Sequence, residues 1–300
     1  MLKVAVLYIC TGKYSVLWKE FYESFEKFFL SDCEKSYFVF TNAQDLDYSA
    51  ENNVNKIYQE PLKWPYSTLM RFHMFNAQYE KLKDVDYIFF VNANGKAMLP
   101  ITKEMVLPDE DKKEFLTVVR HPAYRKYDVC DFPYDRNRKC RAYIPFGCGK
   151  VYVQGCLLGG TADAFLSMSN KIAKDIDRDL SKNVIALWHD ESYLNKYILG
   201  KNYKLLSKSF ADNSDKPSDG TVIWMRPKNL YFDVDTVKAN GDSTEIVGFN
   251  KKLNSIRYNI IKNKIVYKGD KKEVKEEKGA LFAFFWGLKN YWKIYFKKGK

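Results

Sequence analysis

Tyr87-Ile88-Phe89-Phe90-Val91 is an unbroken apolar run that stops at Asn92-Ala93-Asn94. A strand covered on one face alternates apolar and polar residues. A run without alternation is covered on both faces, the condition of a strand inside a parallel sheet. Helices must then lie on both sides, so strands and helices should alternate along the chain. Ligands of such open sheets bind beyond the carboxyl ends of the strands. Asn92 and Asn94, spaced i and i+2, are expected to point the same way from that end. A polar turn closing the strand is the competing reading, because Asn favours turns.

The remaining pattern agrees with a single α/β domain. Further strands are read at Val4 to Ile9, Tyr37 to Phe40, Val54 to Tyr58, Phe115 to Val119 and residues 152–158. Helices are read at Val16 to Phe29, Ser67 to Leu82 and Ala162 to Ile176, each with apolar residues at helical spacing. Residues 123–150 read as a polar, basic loop region, and Ala211 to Gly220 as a flexible loop. Leu230 to Tyr267 reads as short β-like pieces, and Asp270 to Lys278 as a charged linker.

Charge is unevenly distributed. The formal net charge is +12, yet residues 251–300 hold 15 of the 49 Lys and Arg and only 4 of the 37 Asp and Glu. The first 250 residues are close to neutral. A nucleic-acid enzyme builds its basic surface into the fold, so nucleic acid is not an expected partner. Cys10, Cys33, Cys130, Cys140, Cys148 and Cys156 form no Cys-x-x-Cys pair. They read as free thiols in a reducing compartment, without a zinc site. The chain opens on a strand without a charged, apolar leader, so no signal peptide is expected.

Two further stretches carry chemistry. Trp188-His189-Asp190-Glu191 sets an imidazole and two carboxylates just before an amphipathic helical pattern. Acids are favoured at a helix start by the helix dipole. Such a segment presents a reactive carboxylate, or it is an ordinary acidic first turn. Gln154-Gly155-Cys156-Leu157-Leu158-Gly159-Gly160 packs glycines beside a strand, which lets backbone approach a ligand closely or simply makes a turn.

These stretches occur in order with Tyr8-Ile9-Cys10-Thr11-Gly12-Lys13-Tyr14, Trp64-Pro65 with Arg71, His121-Pro122, Tyr134-Asp135-Arg136 and Ala142-Tyr143-Ile144-Pro145. From about Leu2 to about Lys228 the chain resembles the family 6 retaining glycosyltransferases, the group containing the blood-group A and B transferases and the α-1,3-galactosyltransferase. The resemblance implies a GT-A fold with a Rossmann-like, mostly parallel sheet. It implies transfer of galactose or N-acetylgalactosamine from a UDP-sugar to a galactose-terminated acceptor, fucosylated as in blood-group H, making an α-1,3 bond with retention. The catalytic domain is placed at residues 1–228, a further segment and linker at 229–278, and a basic aromatic tail at 279–300.

The resemblance also implies roles. Glu191 is the central carboxylate, either a nucleophile or a stabiliser of an oxocarbenium ion. Asp190 binds donor-sugar hydroxyls. Ile9, Thr11 and Tyr14 surround uracil and ribose, while Trp64 and Arg71 flank the nucleotide. Gln154, Gly155 and Cys156 fall on donor-selecting positions, with Cys156 leaving less room for an acetamido group than Gly or Ala. His121 contacts the acceptor, and Trp188 and His189 line the same pocket.

One departure matters. Many family members carry Asp-x-Asp where this chain has Asn92-Ala93-Asn94. Hard divalent cations want carboxylate oxygens, and neutral amides cannot compensate an ion bridging a diphosphate. No metal cofactor is therefore expected. Fixed cations must stabilise the leaving UDP instead, and Arg226 and Lys228 are the candidates, with Arg71 a third. The tail sets Lys289, Lys293, Lys297 and Lys300 on one helical face, with Phe285, Leu288, Trp292 and Tyr295 largely elsewhere. That describes an interfacial helix on an anionic membrane, or one docked on protein. The expected setting is a cytoplasmic enzyme, peripheral on the inner face of a bacterial inner membrane, acting on an oligosaccharide or lipid-linked glycan. Loss of the metal-binding acids leaves one alternative, a catalytically weak sugar-nucleotide or glycan-binding protein.

Overall fold

In the structure, a computed structural model describing residues 1–122, 132–145 and 147–234, the apolar run is strand β4 (Tyr87–Val91), buried from Ile88 onward. It sits in the middle of a seven-stranded sheet. On one side lie β1 (Lys3–Ile9), β2 (Glu34–Thr41) and β3 (Val54–Tyr58), all parallel to it. On the other lie β7 (Val153–Thr161), then β6 (Leu116–Arg120), then β8 (Lys204–Leu206). Only β7 runs against its two neighbours. The result is a mixed α/β, largely parallel, GT-A-like sheet.

Both faces of β4 are covered, as its composition requires. Phe89 meets Phe29 at 5.3 Å on the side of α1 (Trp18–Phe28), where Phe21 also lies 4.2 Å from Tyr8. Phe90 meets Phe75 at 5.3 Å on the opposite side, where α3 (Arg71–Asn76) packs on α6 (Ala162–Leu180) through Phe165. Each fully buried Phe contributes about 1.5–3 kcal/mol of apolar transfer energy. The expected helix from Val16 begins two residues late, at Trp18, because Gly12–Leu17 winds as a 3-10 turn. α6 runs to Leu180, past the expected Ile176.

Two expectations are corrected here. Residues 67–82 do not form one helix but three short ones, α2 (Tyr66–Leu69), α3 and α4 (Tyr79–Leu82). The breaks fall at Met70 and Gln78, whose backbones leave the α region. Arg71 Nε binds Thr68 O at 3.2 Å, the carbonyl a continuous helix would offer to the Phe72 N–H. The apolar spacing persists through the breaks, which is why periodicity alone reads one helix. Second, β4 ends at Val91, and Asn92–Asn94 make a turn into β5 (Gly95–Ala97), which pairs with β9 (Ile223–Met225). The two amides are therefore not on strand positions.

A third correction concerns the glycines. A Cβ on Gly159 would lie 2.2 Å from Phe89, and one on Gly160 2.4 Å from the Phe115 carbonyl oxygen. These two serve sheet packing rather than ligand approach. The short helix α5 (Lys103–Val106) completes the body before α7 (His189–Ile198). The 211–220 loop is tied by Asp212, which accepts from Ser214 N at 3.0 Å and from the Thr221 hydroxyl. Leu230 closes a 3-10 turn, Lys228–Leu230, rather than starting a strand. The expectations for Cys130, for the rest of 230–278 and for the 279–300 tail lie outside the described residues. No described helix is long and apolar enough to cross a membrane.

Candidate active site

The site is built around an interruption in β7. Val118 pairs with Leu158, but the next residue of β6, Val119, pairs with Gln154. This β-bulge lifts the Gly155 peptide off the β6 ladder, and bulges beside active sites commonly re-aim groups in this way. Gly155 N–H donates to Glu191 Oε2 at 2.7 Å, and Gly155 C=O accepts from Arg71 Nη1 at 2.7 Å. A Cβ there would lie 3.1 Å from Asp190 Oδ2. Gly155, expected at a donor-selecting position, is thus the point where α7 approaches the strand.

Glu191 is held from two sides. Its Oε1 accepts from the Tyr152 hydroxyl at 2.7 Å, opposite the Gly155 N–H. Burial pushes its carboxyl up to about 7, against the pull of these two donors, with the neighbouring Asp190 charge adding to the rise. Asp190 and Glu191 occupy the first turn of α7, as the sequence suggests. Asp190 pairs with Arg71 Nη1 at 3.2 Å, both side chains buried. Arg71 also lies over the Phe90 ring at 4.5 Å. The break at Met70 is what turns this guanidinium inward.

His189 starts α7 with φ +49°, a left-handed conformation uncommon outside glycine and concentrated at functional sites. Its ring meets Trp64 edge-on at 4.9 Å. Burial, then the Arg71 charge, lowers its pKa to about 4, so it is neutral near pH 7. His121 directly follows β6 with its ring 5.7 Å from Tyr152, and burial lowers it to about 4 as well. Trp188 stands 40% exposed at the helix start. It is not core packing, and it is available to a molecule outside.

A cleft of about 380 Å³ opens beside this cluster, lined by Asn92, Asn94, Gln154, Cys156 and Lys228 among others. So the sequence-derived amides and the donor-selecting pair converge, although from a turn rather than a strand. Asn94 Nδ2 donates to Arg226 O at 2.9 Å. Burial raises the Cys156 thiol well above its ordinary range. Lys228 Nζ lies over the Tyr14 ring at 5.1 Å. Tyr14 stands on the 3-10 turn after Thr11, while Ile9 ends β1 half-buried. Among the described residues, no three or more His, Cys, Asp or Glu side chains converge as a metal site would require.

Arg226 is corrected. It is wholly buried, and its guanidinium donates to Asn94 O, Leu17 O, Ala93 O and Gly95 O at 3.0–3.4 Å. Its remaining contacts are Tyr231 Oη and Glu20. Arg226 borders the cleft, but its guanidinium lies beneath the turn and holds it.

Two contributors escaped sequence reasoning. Tyr152 supplies the hydroxyl on Glu191. Asn195, one turn along α7, clamps Val153 through both its N–H (3.0 Å) and its C=O (2.9 Å) and also donates to Glu191 O at 2.9 Å. The i, i+4 spacing of Glu191 and Asn195 on one helix face was the available clue.

Comparison with known proteins supplies the family. The family model described as Glycosyltransferase family 6 matches residues 1–229. The chain is 34% identical over 227 residues to the O-antigen biosynthesis glycosyltransferase WbnI of Escherichia coli, covering 75% of this chain and 94% of that protein. It is 24% identical over 246 residues to the human globoside alpha-1,3-N-acetylgalactosaminyltransferase 1, covering 79% and 69%. It is 26% identical over 206 residues to the rat histo-blood group ABO system transferase 2, covering 66% and 60%. A match over this much of its length, with a relative so nearly covered, means that the chain belongs to glycosyltransferase family 6 and is a hexosyltransferase acting between a nucleotide-sugar donor and a glycan acceptor.

Proposed function

We propose that this chain transfers galactose or N-acetylgalactosamine from a UDP-sugar to a galactose-terminated glycan with retention, through Glu191 and without a divalent metal. The observation that carries the reading is the Glu191 carboxylate, fixed between the Tyr152 hydroxyl and the N–H of Gly155, whose neighbours Gln154 and Cys156 line the cleft. Retention needs a group on the face of the anomeric carbon away from the leaving diphosphate. As the bond from C1 to the UDP oxygen breaks, a glutamate oxygen either bonds to C1 or stabilises its positive charge. The acceptor hydroxyl then forms the new bond and releases the glutamate unchanged. Its proton passes to a leaving diphosphate oxygen.

Asp190, oriented by Arg71, offers its carboxylate to sugar hydroxyls. Lys228 is placed to offset charge on the departing UDP. Neutral His121 and His189 can accept or donate hydrogen bonds to an acceptor without adding charge. Gln154 Oε1 is buried with no hydrogen-bond partner among the described residues, and it would accept an acetamido N–H. Cys156 beside it narrows the same space. These two features pull in opposite directions between the two sugars. Residues 279–300 keep their proposed role as a membrane-surface anchor for a cytoplasmic enzyme.

The direct test is transfer from UDP-galactose and UDP-N-acetylgalactosamine to 2′-fucosyllactose and lactose in EDTA, with linkage read by NMR. An α-linked product in EDTA is expected, and added Mn²⁺ should change the rate less than about twofold. A large restoration by Mn²⁺ would refute the metal-free reading. No product under any condition would favour a sugar-nucleotide-binding protein.

The pH profile is a second check. The reactive form of Glu191 is the carboxylate, whose acid form is stabilised by burial up to about 7. Raising the pH through 7 therefore fills the reactive form. kcat/KM should climb about tenfold per pH unit below that point and level off above it. A flat profile from about pH 5.5 to 8.5 would contradict the assignment.

A further inference from the structure

A second hollow, larger than the cleft described above, is a groove of about 880 Å³ on the far side of α7, walled by the loop after Asn137, by α6, by the turn after it and by the outer half of α7. Seven of its lining residues are Lys or Arg, against one carboxylate, Asp175. Arg141 and Lys171 are paired with that carboxylate. Arg138, Lys139, Lys182, Lys196 and Lys201 make no ion pair with a carboxylate among the described residues.

The clustering is a property of the fold and not of composition. Outside residues 251–300 the chain has 34 basic and 33 acidic residues. A groove with this excess of one sign therefore gathers charge that a balanced sequence would disperse, at a cost in self-repulsion. The buried Asp179 just beneath it does not restore the balance. The basic segment 251–300 has the groove's own sign and does not complement it.

The walls are also fixed. Asp179 Oδ2 accepts from Cys140 Sγ at 3.2 Å, from Arg141 N at 2.7 Å and from Tyr193 Oη at 2.7 Å. One carboxylate thus joins the loop, α6 and α7, and fixes the frame of a preformed space with Ile172, Val184 and Tyr197 as its apolar lining, while Arg138, Lys139, Lys182 and Lys201 stand exposed around it. A fixed frame brings several cations to one place, where a compact polyanion can meet them together.

We propose that this groove binds a phosphate-rich anion of the diphosphate class, separately from the donor cleft. Five cations without counter-carboxylates exceed what one carboxylate would neutralise. A diphosphate concentrates several negative oxygens in a volume the groove accepts. The anion can reach the groove as a free diphosphate or as the headgroup of a lipid.

The test uses the full chain and inorganic pyrophosphate, followed by calorimetric titration. Three proteins are compared: the unmodified chain, the triple variant Lys139→Ser/Lys182→Ser/Lys196→Ser, and Lys81→Ser as an exposed-lysine control that lines neither hollow. The unmodified chain and Lys81→Ser should bind pyrophosphate alike, and the triple variant should lose roughly tenfold or more in affinity at the groove while its melting temperature stays unchanged. Equal binding by the unmodified chain and the triple variant would overturn the proposal, as would an equal loss in Lys81→Ser. Co-sedimentation with vesicles containing a polyprenyl diphosphate then separates the sources. A deficit in the triple variant assigns the groove to a lipid headgroup, and parity assigns it to a soluble diphosphate.

Discussion

Glu191→Gln should lower transfer by on the order of 10³-fold or more while making the protein more stable. Both halves follow from the same geometry. The amide fits, because its oxygen can accept from Gly155 N–H while its NH₂ donates to the Tyr152 oxygen. It cannot bond to the anomeric carbon or carry the charge that an oxocarbenium ion requires. The carboxyl is raised in the fold to about 7, above its unfolded value. The folded state therefore favours its protonated form. Its contribution is harmless at low pH, turns unfavourable as pH rises past the unfolded value, and reaches its full cost above about 7. Removing the charge at pH 8 relieves about 3 kcal/mol, and the melting temperature should rise by several degrees. At pH 4 the two proteins should melt together. Near-normal turnover in the variant would sink the catalytic assignment, whatever its stability.

Arg226→Met should unfold the protein at markedly lower temperature and abolish activity only as a consequence. The guanidinium binds carbonyls from Leu17, Ala93, Asn94 and Gly95, which belong to two separate parts of the chain. Methionine fills the volume but removes the charged donor from all four oxygens, leaving Ala93 O only the Tyr8 hydroxyl and Asn94 O only the residue-226 backbone N–H. Removing one side of a buried charged network costs about 3–5 kcal/mol. For a protein of this size that lowers the melting temperature by on the order of 10 °C. Lysine is no substitute, since its single ammonium cannot reach the spread of carbonyls. A variant of normal stability with weakened donor binding would return Arg226 to the diphosphate. Thermal melting, with nucleotide titration on the folded fraction, separates the two.

The sequence was most legible where covering both faces of a strand left no alternative. β4 and β1 follow from their apolar runs, and the acidic start of α7 follows from Asp190 and Glu191 ahead of an amphipathic pattern. It was least legible where a local bond overrides a local preference. The helix is interrupted at Met70 although its apolar spacing continues undisturbed, because the spacing reports the core and the bond from Arg71 to the Thr68 carbonyl does not appear in it. The bulge at Gly155 depends on how β6 aligns with β7, a long-range register that no short window contains. Gly159 and Gly160 look like Gly155 in sequence and differ only in facing Phe89 and the Phe115 backbone. Arg226 reads as a basic residue beside Pro227 and Lys228, and only the packed turn shows where its charge is held.

The alternation along β7 separates what can drift from what cannot. Gln154 and Cys156 look into the cleft, while Gly155 between them faces α7 and holds Glu191 and Arg71 through its backbone. Side-chain exchange at 154 or 156 reshapes the cavity without altering the peptide that fixes the acid. Descendants of such a strand can explore new sugar preferences one residue at a time, with the chemical step inherited intact.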